Sequence, residues 1–293
     1  MSKRSRSLED LRTSLTELKL IYYFYRKSVS AMAGLVILVT LIFVAILAPW
    51  LSPYDPLEVD LPSRLMAPSF QHFFGTDSAG RDIFSRVLYG TRISLVAAIG
   101  IVLLGGSIGT LFGLASGYVG GRFDLLVMRV TDIFLAFPTF LLAILLAATL
   151  GPGMTTLLIS VSVPLWPEYA RLVRGSTLSE KNKEFIEAAV ASGENSVSIL
   201  FRQILPNVLS PLLVKGTIDV GFSILWAAGL SFLGLGIQPP TPEWGNMVSA
   251  GRSYMATKIW VAGFPGLAIL LATLAFNLAG DGFRDALDPK LRV

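Results

Sequence analysis

Apolar residues in this chain come in long unbroken runs rather than in alternation with polar ones, over residues 29–51, 93–118, 130–150, 154–173, 208–236 and 259–280. A helix needs about 20 apolar residues to cross the hydrocarbon core of a bilayer, so each run predicts a transmembrane helix. Glycine, proline and charged residues punctuate the intervals between them. The strands of a transmembrane β-barrel would alternate apolar and polar residues over about 10 positions, which these runs do not. The pattern predicts an all-α integral membrane protein with a six-transmembrane-helix bundle at residues 29–280. The first run is too long for the apolar core of a signal peptide and no small-residue cleavage pattern follows it, so it reads as an uncleaved first span.

The flanking segments carry a different pattern. In residues 1–28, Leu8, Leu11, Leu15, Leu18, Tyr22 and Tyr25 recur three and four apart among basic residues. That spacing predicts an amphipathic helix lying along the cytoplasmic membrane face. Residues 281–293 read as a cytoplasmic tail. Within the second span, Gly105, Gly109, Gly113, Gly117 and Gly121 fall four apart and so share one helix face, which lets a neighbouring backbone approach closely.

Composition agrees with a membrane protein: 293 residues, 53% hydrophobic, 15% charged, mean hydropathy +0.65. A net charge of +4 would also suit a nucleic-acid binder, but the distribution of the basic residues argues otherwise. Seven lie in the first 28 residues, two in 117–129, five in 165–207 and three in the tail, against six on the intervening loops. The positive-inside rule therefore places both termini in the cytoplasm of a cell (inner or plasma) membrane, with no nucleic-acid partner. The absence of cysteine and the single histidine, His72, exclude disulfides, thiolate metal sites and His/His metal pairs. No catalytic, cofactor or metal residues are expected.

The longest cytoplasmic loop, with its core at about 179–206, is patterned rather than a tether. Asn182 is a candidate N-cap, residues 183–192 form a short helical run, and Gly193 can take a left-handed turn. Asn195 or Ser196 can cap a second helix carrying Val197, Leu200, Phe201, Ile204 and Leu205 on one face, and Pro206 marks the return to the membrane. The first helix holds Phe185, Ile186, Ala188, Ala189, Val190 and Ala191. It is apolar on more sides than an isolated surface helix tolerates, which predicts docking into a partner's groove.

The string EAAVASGENSVSILFRQILP at 187–206 resembles the EAA-loop signature of ABC transporter permeases, with Glu187, Ala188, Ala189, Gly193, Leu205 and Pro206 at matching separations. Gln203 stands where the general pattern has isoleucine. The likeness extends over residues 29–292 and narrows to the C-type subunit of the dipeptide/oligopeptide importers. It is carried by APWLSPYDP, FGTDSAGRDIFSRVLYGTRISL, LSFLGLGIQPPTPEWGNM and FPGLAILLATLAFNLAGDGFRDALDPKLR. Trp226 and Ala227 replace a small residue and an acid found in many relatives, so a cargo rule resting on that acid does not carry over.

The resemblance implies a type I importer-like fold with a cytoplasmic coupling helix. It also implies a homologous B-type permease subunit, two ABC ATPase subunits that bind ATP and Mg, and an extracytoplasmic substrate-binding protein. The chain itself has no G-x-x-x-x-G-K-[ST] phosphate loop and no Gly-Lys dipeptide, so ATP hydrolysis is expected in separate chains. In such a family Phe185, Ile186, Ala188 and Ala189 supply packing to an ATPase cleft, Glu187 a charged contact and Gly193 the turn. Cargo implied by the resemblance is di- or oligopeptides, with oligosaccharide or nickel as alternatives.

Several polar positions carry further expectations. Lys215 and Asp219 lie four apart in the fifth span and predict an i, i+4 pair; with Trp226 they are candidates for the translocation path. Asp132 lies near Arg129, Asp77 is a candidate cap for the helix that follows it, and His72 reads as a solvated loop residue. The extracytoplasmic segments 52–92 and 237–258 offer a surface for a binding protein. An ion-coupled secondary transporter needs its own coupling site, for which only Asp219 is well placed. An intramembrane hydrolase lacks a nucleophile and base, because His72 lies outside the spans.

Overall fold

A computed structural model describes residues 25–287. The proposed amphipathic stripe therefore lies outside the described residues except for Tyr25, as does the end of the tail from 288. Among the described residues the secondary structure is helical, apart from an isolated bridge between Thr76 and Asp82. In chain order the helices are α1 (Val29–Leu51), α2 (Ile83–Val119), α3 (Gly121–Leu135), α4 (Thr139–Leu150), α5 (Met154–Lys181), α6 (Glu184–Ala191), α7 (Ser196–Phe232), α8 (Trp244–Gly251) and α9 (Trp260–Leu287).

Four of these, α1, α2, α7 and α9, are long and apolar enough to cross a membrane. The expected count of six is modified at the third and fourth positions. Residues 130–150 are not one rod: α3 and α4 meet at a bend of 86°, and together they form at most one broken span or a re-entrant loop. The physical cause is Pro138, which stands in a non-helical conformation at the N-cap position of α4; a proline disfavours helix at the residue before it and cannot donate to the turn behind it. Helix α5 is long enough, at 28 residues, but Glu168, Arg171, Arg174, Glu180 and Lys181 crowd its second half, so it falls short as a uniformly apolar span.

Two further boundaries differ from expectation. Helix α2 starts ten residues before 93 because the Asp82 carboxylate, not that of Asp77, accepts from the Ser85 amide at 2.7 Å and caps the N-terminus. Helix α7 does not break at Pro206. Residues Ile199–Ile204 widen into a π-helical turn, with the Leu205 N–H donating to Leu200 O. The proline then falls in the first turn of the α-helical stretch, where a missing N–H costs little.

The bundle is organised around α2 and α5. The glycine stripe of α2 lies against the backbone of α5: a Cβ at Gly113 would stand 2.6 Å from Ala170 O, one at Gly105 3.0 Å from Ser162 O, and one at Gly109 would overlap Trp166 O. Ser162 adds a hydrogen bond to Ile101 O at 2.9 Å. Gly121, the last of the series, lies beyond the packed stripe with φ +58. A core of Leu95, Ala98, Ile101, Leu157, Val161 and Leu165 closes this interface, and Ile224, Leu230 and Phe276 bring α7 and α9 onto it. On the outer side, α1 lies against α9 through Gly34, whose place for a Cβ is filled by Leu278 and Ala279. Tyr25 continues that contact, with its ring 5.3 Å from that of Phe283.

Close backbone approach makes the stripe intolerant of bulk. Gly113→Leu is expected to lower stability by about 1–3 kcal/mol through overpacking. Gly175→Ala, at a helical glycine with open space around it, is expected to be neutral or mildly stabilising. Thermal unfolding midpoints of the two variants in detergent check both signs.

Candidate coupling helix and translocation groove

The loop resembling the EAA signature folds as a short helix fixed to the end of the bundle. Only Asn182 and Lys183 separate α5 from α6, and this junction is tied down. Lys181 Nζ donates to Tyr118 O at 2.5 Å, and Lys183 Nζ to Glu180 Oε1 at 2.6 Å. Lys183, rather than Asn182, occupies the N-cap position, and no side chain caps the helix there.

Within α6 the apolar residues divide between two faces. Ile186, 2% exposed, and Ala189 are buried in a cluster with Leu114 of α2, Val173 of α5, and Ile199, Ile204 and Val208 of α7. Phe185, Glu187, Ala188 and Val190 are exposed. The expectation that Ile186 and both alanines face a partner is thus corrected for Ile186 and Ala189, which are consumed by packing inside this chain. A helix apolar on two sides needs two partners, and one of them is its own bundle.

The end of α6 is set by backbone chemistry. Gly193 has φ +77, and the two hydrogen bonds of a Schellman turn close around it, Gly193 N–H to Val190 O at 3.0 Å and Glu194 N–H to Ala189 O at 3.1 Å. The Asn195 side chain then accepts from the Ser198 amide at 2.7 Å and caps the next helical turn. Glu194 accepts from Ser198 Oγ at 2.5 Å and from Gln203 Nε2 at 3.4 Å. The family-atypical Gln203 therefore helps brace the turn. Leu205 is partly buried beside the same cluster and Pro206 is exposed.

The three candidate path residues converge on one groove. Lys215, Asp219 and Trp226 line a cavity of about 720 Å³ together with Leu165, Glu168 and Phe222. The i, i+4 pair forms, with Lys215 Nζ 3.0 Å from Asp219 Oδ2. Sequence spacing misses its third member: Glu168 of α5, 47 residues away, accepts from Lys215 Nζ at 2.7 Å. Only a register for α5 against α7 would have revealed that contact. Asp132 pairs not with Arg129 but with Arg171 of α5 at 2.7 Å, and the two Asp124 oxygens accept from Arg174 Nε and Nη2 at 2.5 and 2.6 Å. These two pairs hold the bent α3 against α5.

On the opposite side of the bundle, the segments 52–92 and 237–258 form one continuous platform. Arg86 is buried and donates to Pro56 O at 2.7 Å and Pro240 O at 3.2 Å, joining the two segments. Asp77 does not cap a helix; it accepts from Arg81 Nε at 2.8 Å and from the amides of Ala79 and Arg81. His72 is not a free solvated group. Its Nδ1 lies 3.0 Å from Asp82 Oδ1, and the imidazole is tilted against the Tyr54 ring with the ring centres 4.8 Å apart. In the second segment Trp244 is fully buried, donating from Nε1 to Val87 O at 3.1 Å. The Glu243 carboxylate caps α8 through the amides of Gly245 and Asn246, both at 2.8 Å. Burial pushes the Glu243 carboxyl above the usual range, against the pull of those two amides.

Comparison with known proteins agrees with this architecture. Residues 109–293 match the family described as binding-protein-dependent transport system inner membrane component. Residues 18–68 match the N-terminal transmembrane domain of oligopeptide transport permease C. The chain is 50% identical over 269 residues, 92% of its own length and 89% of the relative's, to the glutathione transport system permease protein GsiD of Escherichia coli O157:H7. It has the same identity and coverage with that of Shigella boydii serotype 4 (strain Sb227). Among solved structures, chains of the inward-facing MetNI methionine ABC transporter in two crystal forms superpose with TM-scores of 0.56 and 0.52. Both are 19% identical, covering 69% and 70% of this chain and 97% and 98% of theirs, a likeness of fold. The chain belongs to the binding-protein-dependent transport system inner membrane component family, as a multi-pass permease subunit of an ABC importer, a transport subunit whose ATPase is a separate chain.

Proposed function

We propose that this permease forms half of a translocation path for short peptides, glutathione among them, and that α6 is the element through which ATP hydrolysis moves it. In this reading the assembly comprises a B-type permease, two ABC ATPase subunits carrying ATP and Mg, and an extracytoplasmic binding protein that docks on the platform joined by Arg86. Both termini and α6 face the cytoplasm, as the basic-residue asymmetry favours.

The observation that carries the coupling role is the division of α6 into an anchored and an open face. An exposed aromatic, Phe185, beside Glu187 and Ala188 makes a compact surface suited to a groove. Ile186 and Ala189 connect that surface to α2, α5 and α7, so a push on it is felt by the bundle. Peptide cargo rests on the names of the relatives and on the groove, whose volume falls in the range that holds a small organic ligand.

In proteoliposomes containing the complete importer, Phe185→Ala and Glu187→Arg are expected to reduce ATP-driven peptide uptake about tenfold or more, equivalent to about 1.4 kcal/mol of docking free energy. The thermal midpoint of the purified variants should match that of the parent, because both side chains point away from the core. Uptake at the parental rate in both variants contradicts the coupling role. Labelled dipeptide entering while an oligosaccharide does not is the expected cargo result, and the reverse refutes the peptide assignment.

Gly193→Pro tests the turn itself. Proline fixes φ near −65°, whereas Gly193 sits at +77 and its N–H is in use, so uptake should be lost with the spans still inserted. Gly193→Ala, which tolerates a left-handed residue at a cost of about 1–2 kcal/mol, should retain part of the uptake. Equal activity of the proline variant and the parent would contradict the turn's role.

A further inference from the structure

The groove between α5 and α7 carries more acceptor capacity and more negative charge than its one ammonium satisfies. Lys215 Nζ gives one hydrogen bond to Glu168 Oε2 at 2.7 Å and one to Asp219 Oδ1 at 3.3 Å. Asp219 Oδ2 lies 3.0 Å from the ammonium in ion-pair contact and beside the Tyr169 hydroxyl, and neither of these two buried oxygens forms a well-aligned hydrogen bond. Asp219 is 8% exposed and lines the cavity; Glu168 lines it too and is more open to it. Two carboxylates offer about eight lone-pair sites between them, and one lysine has three N–H donors. Two carboxylates against one ammonium also leave a net charge of −1. Arg284 lines the same cavity but is exposed, and among the described residues it forms no ion pair with either acid.

An uncompensated charge beside a nearly dry wall is costly unless something supplies the missing cation for part of the working cycle. Water and small ions can do so when the groove is open. A primary ammonium does it better, since it brings one positive charge and three N–H donors of the same kind that Lys215 already places there. The buried Tyr169 ring lies 5.1 Å from Lys215 Nζ and helps to hold this resident cation.

We propose that Glu168 and Asp219 form a subsite for the primary ammonium group of the passing cargo, with Lys215 as the resident cation that shares and then yields these acceptors. This rests on the reading that the groove lines a peptide path and names the chemical group that the path recognises. Every unmodified peptide that does not begin with proline carries such a group, so the subsite discriminates against blocked amino termini rather than between most side chains. Because Lys215 can refill both acceptors, the cargo is held only briefly, which suits a path that must release what it binds.

The test uses the complete importer in proteoliposomes, with the same binding protein throughout, and compares uptake of a labelled dipeptide with that of its N-acetylated counterpart. The binding protein's own preference cancels when the ratio of the two rates is compared between variants. Glu168→Gln and Asp219→Asn are expected to lower the free-to-acetylated ratio about tenfold, the scale of one charge-assisted hydrogen bond. Lys215→Met removes the competing cation and is expected to raise that ratio about threefold or more, a gain that a folding defect cannot imitate. An unchanged ratio in all three variants, or rates that fall equally for both peptides, overturns the subsite. If neither peptide enters through the unmodified importer, the peptide reading itself fails, a result distinct from a failed subsite.

Discussion

The burial of Ile186 and Ala189 at the meeting point of α2, α5, α6 and α7 is the contact on which the rest depends. Full burial of an isoleucine side chain is worth about 1.5–3 kcal/mol against leaving it in water, and here Leu114, Val173, Ile199, Ile204 and Val208 provide the wall. A helix of eight residues has little stability of its own in water. It persists because one face is part of the bundle core and because a Schellman turn at Gly193 and the Asn195 cap fix the chain that leaves it. The outer face is then free for a partner. A loop with the same exposed residues but no buried stripe would bind and swing without moving anything else.

What such a lever moves is determined by how tightly the helices behind it are joined. The glycine stripe of α2 brings its backbone onto α5, and Lys181 of α5 bonds to Tyr118 O at the end nearest α6, so the two behave as one unit; at the other end of α2, Trp244 of α8 bonds to Val87 O. Arg86 joins the segment before α2 and the segment after α7 to the start of the same α2. The platform joined by Arg86 and the helix α6 thus sit at the two ends of one packed pair. The groove with Lys215 lies along α5 and α7, beside that pair, where a shift of α7 relative to α5 would alter the distances from Lys215 to Glu168 and Asp219.

Much of this was legible in the residues, and the reasons are local. Gly193, Asn195, the glycine stripe and the Lys215–Asp219 pair depend on spacings within one helix or turn, and those are written directly in the chain. The boundaries of α1 followed from an uncharged run. What was not legible depends on how distant helices register. Glu168 meets Lys215, and Arg171 meets Asp132, only because α5 packs at a particular height; from sequence alone Arg129 was the nearer cation to Asp132. The 86° bend at Pro138 was hidden by the apolarity of residues 130–150, which is equally high on both sides of the break. The two-sided character of α6 was visible, but a partner's groove and the chain's own core ask for the same kind of residue. Side-chain exposure was needed to separate Phe185 and Ala188 from Ile186 and Ala189.

The chain contains no cysteine, so a pair introduced at Leu178 in α5 and Ala188 in α6, both exposed, can carry two spin labels before assembly with no competing thiol in this chain. The most direct measurement is the distance distribution between those labels in the intact importer, without nucleotide and with a non-hydrolysable ATP analogue. A lever fixed to its bundle gives one narrow distribution with the same mean in both states. A broad distribution, or a mean that moves by several ångströms when nucleotide binds, would show α6 moving independently of α5 and would contradict the account.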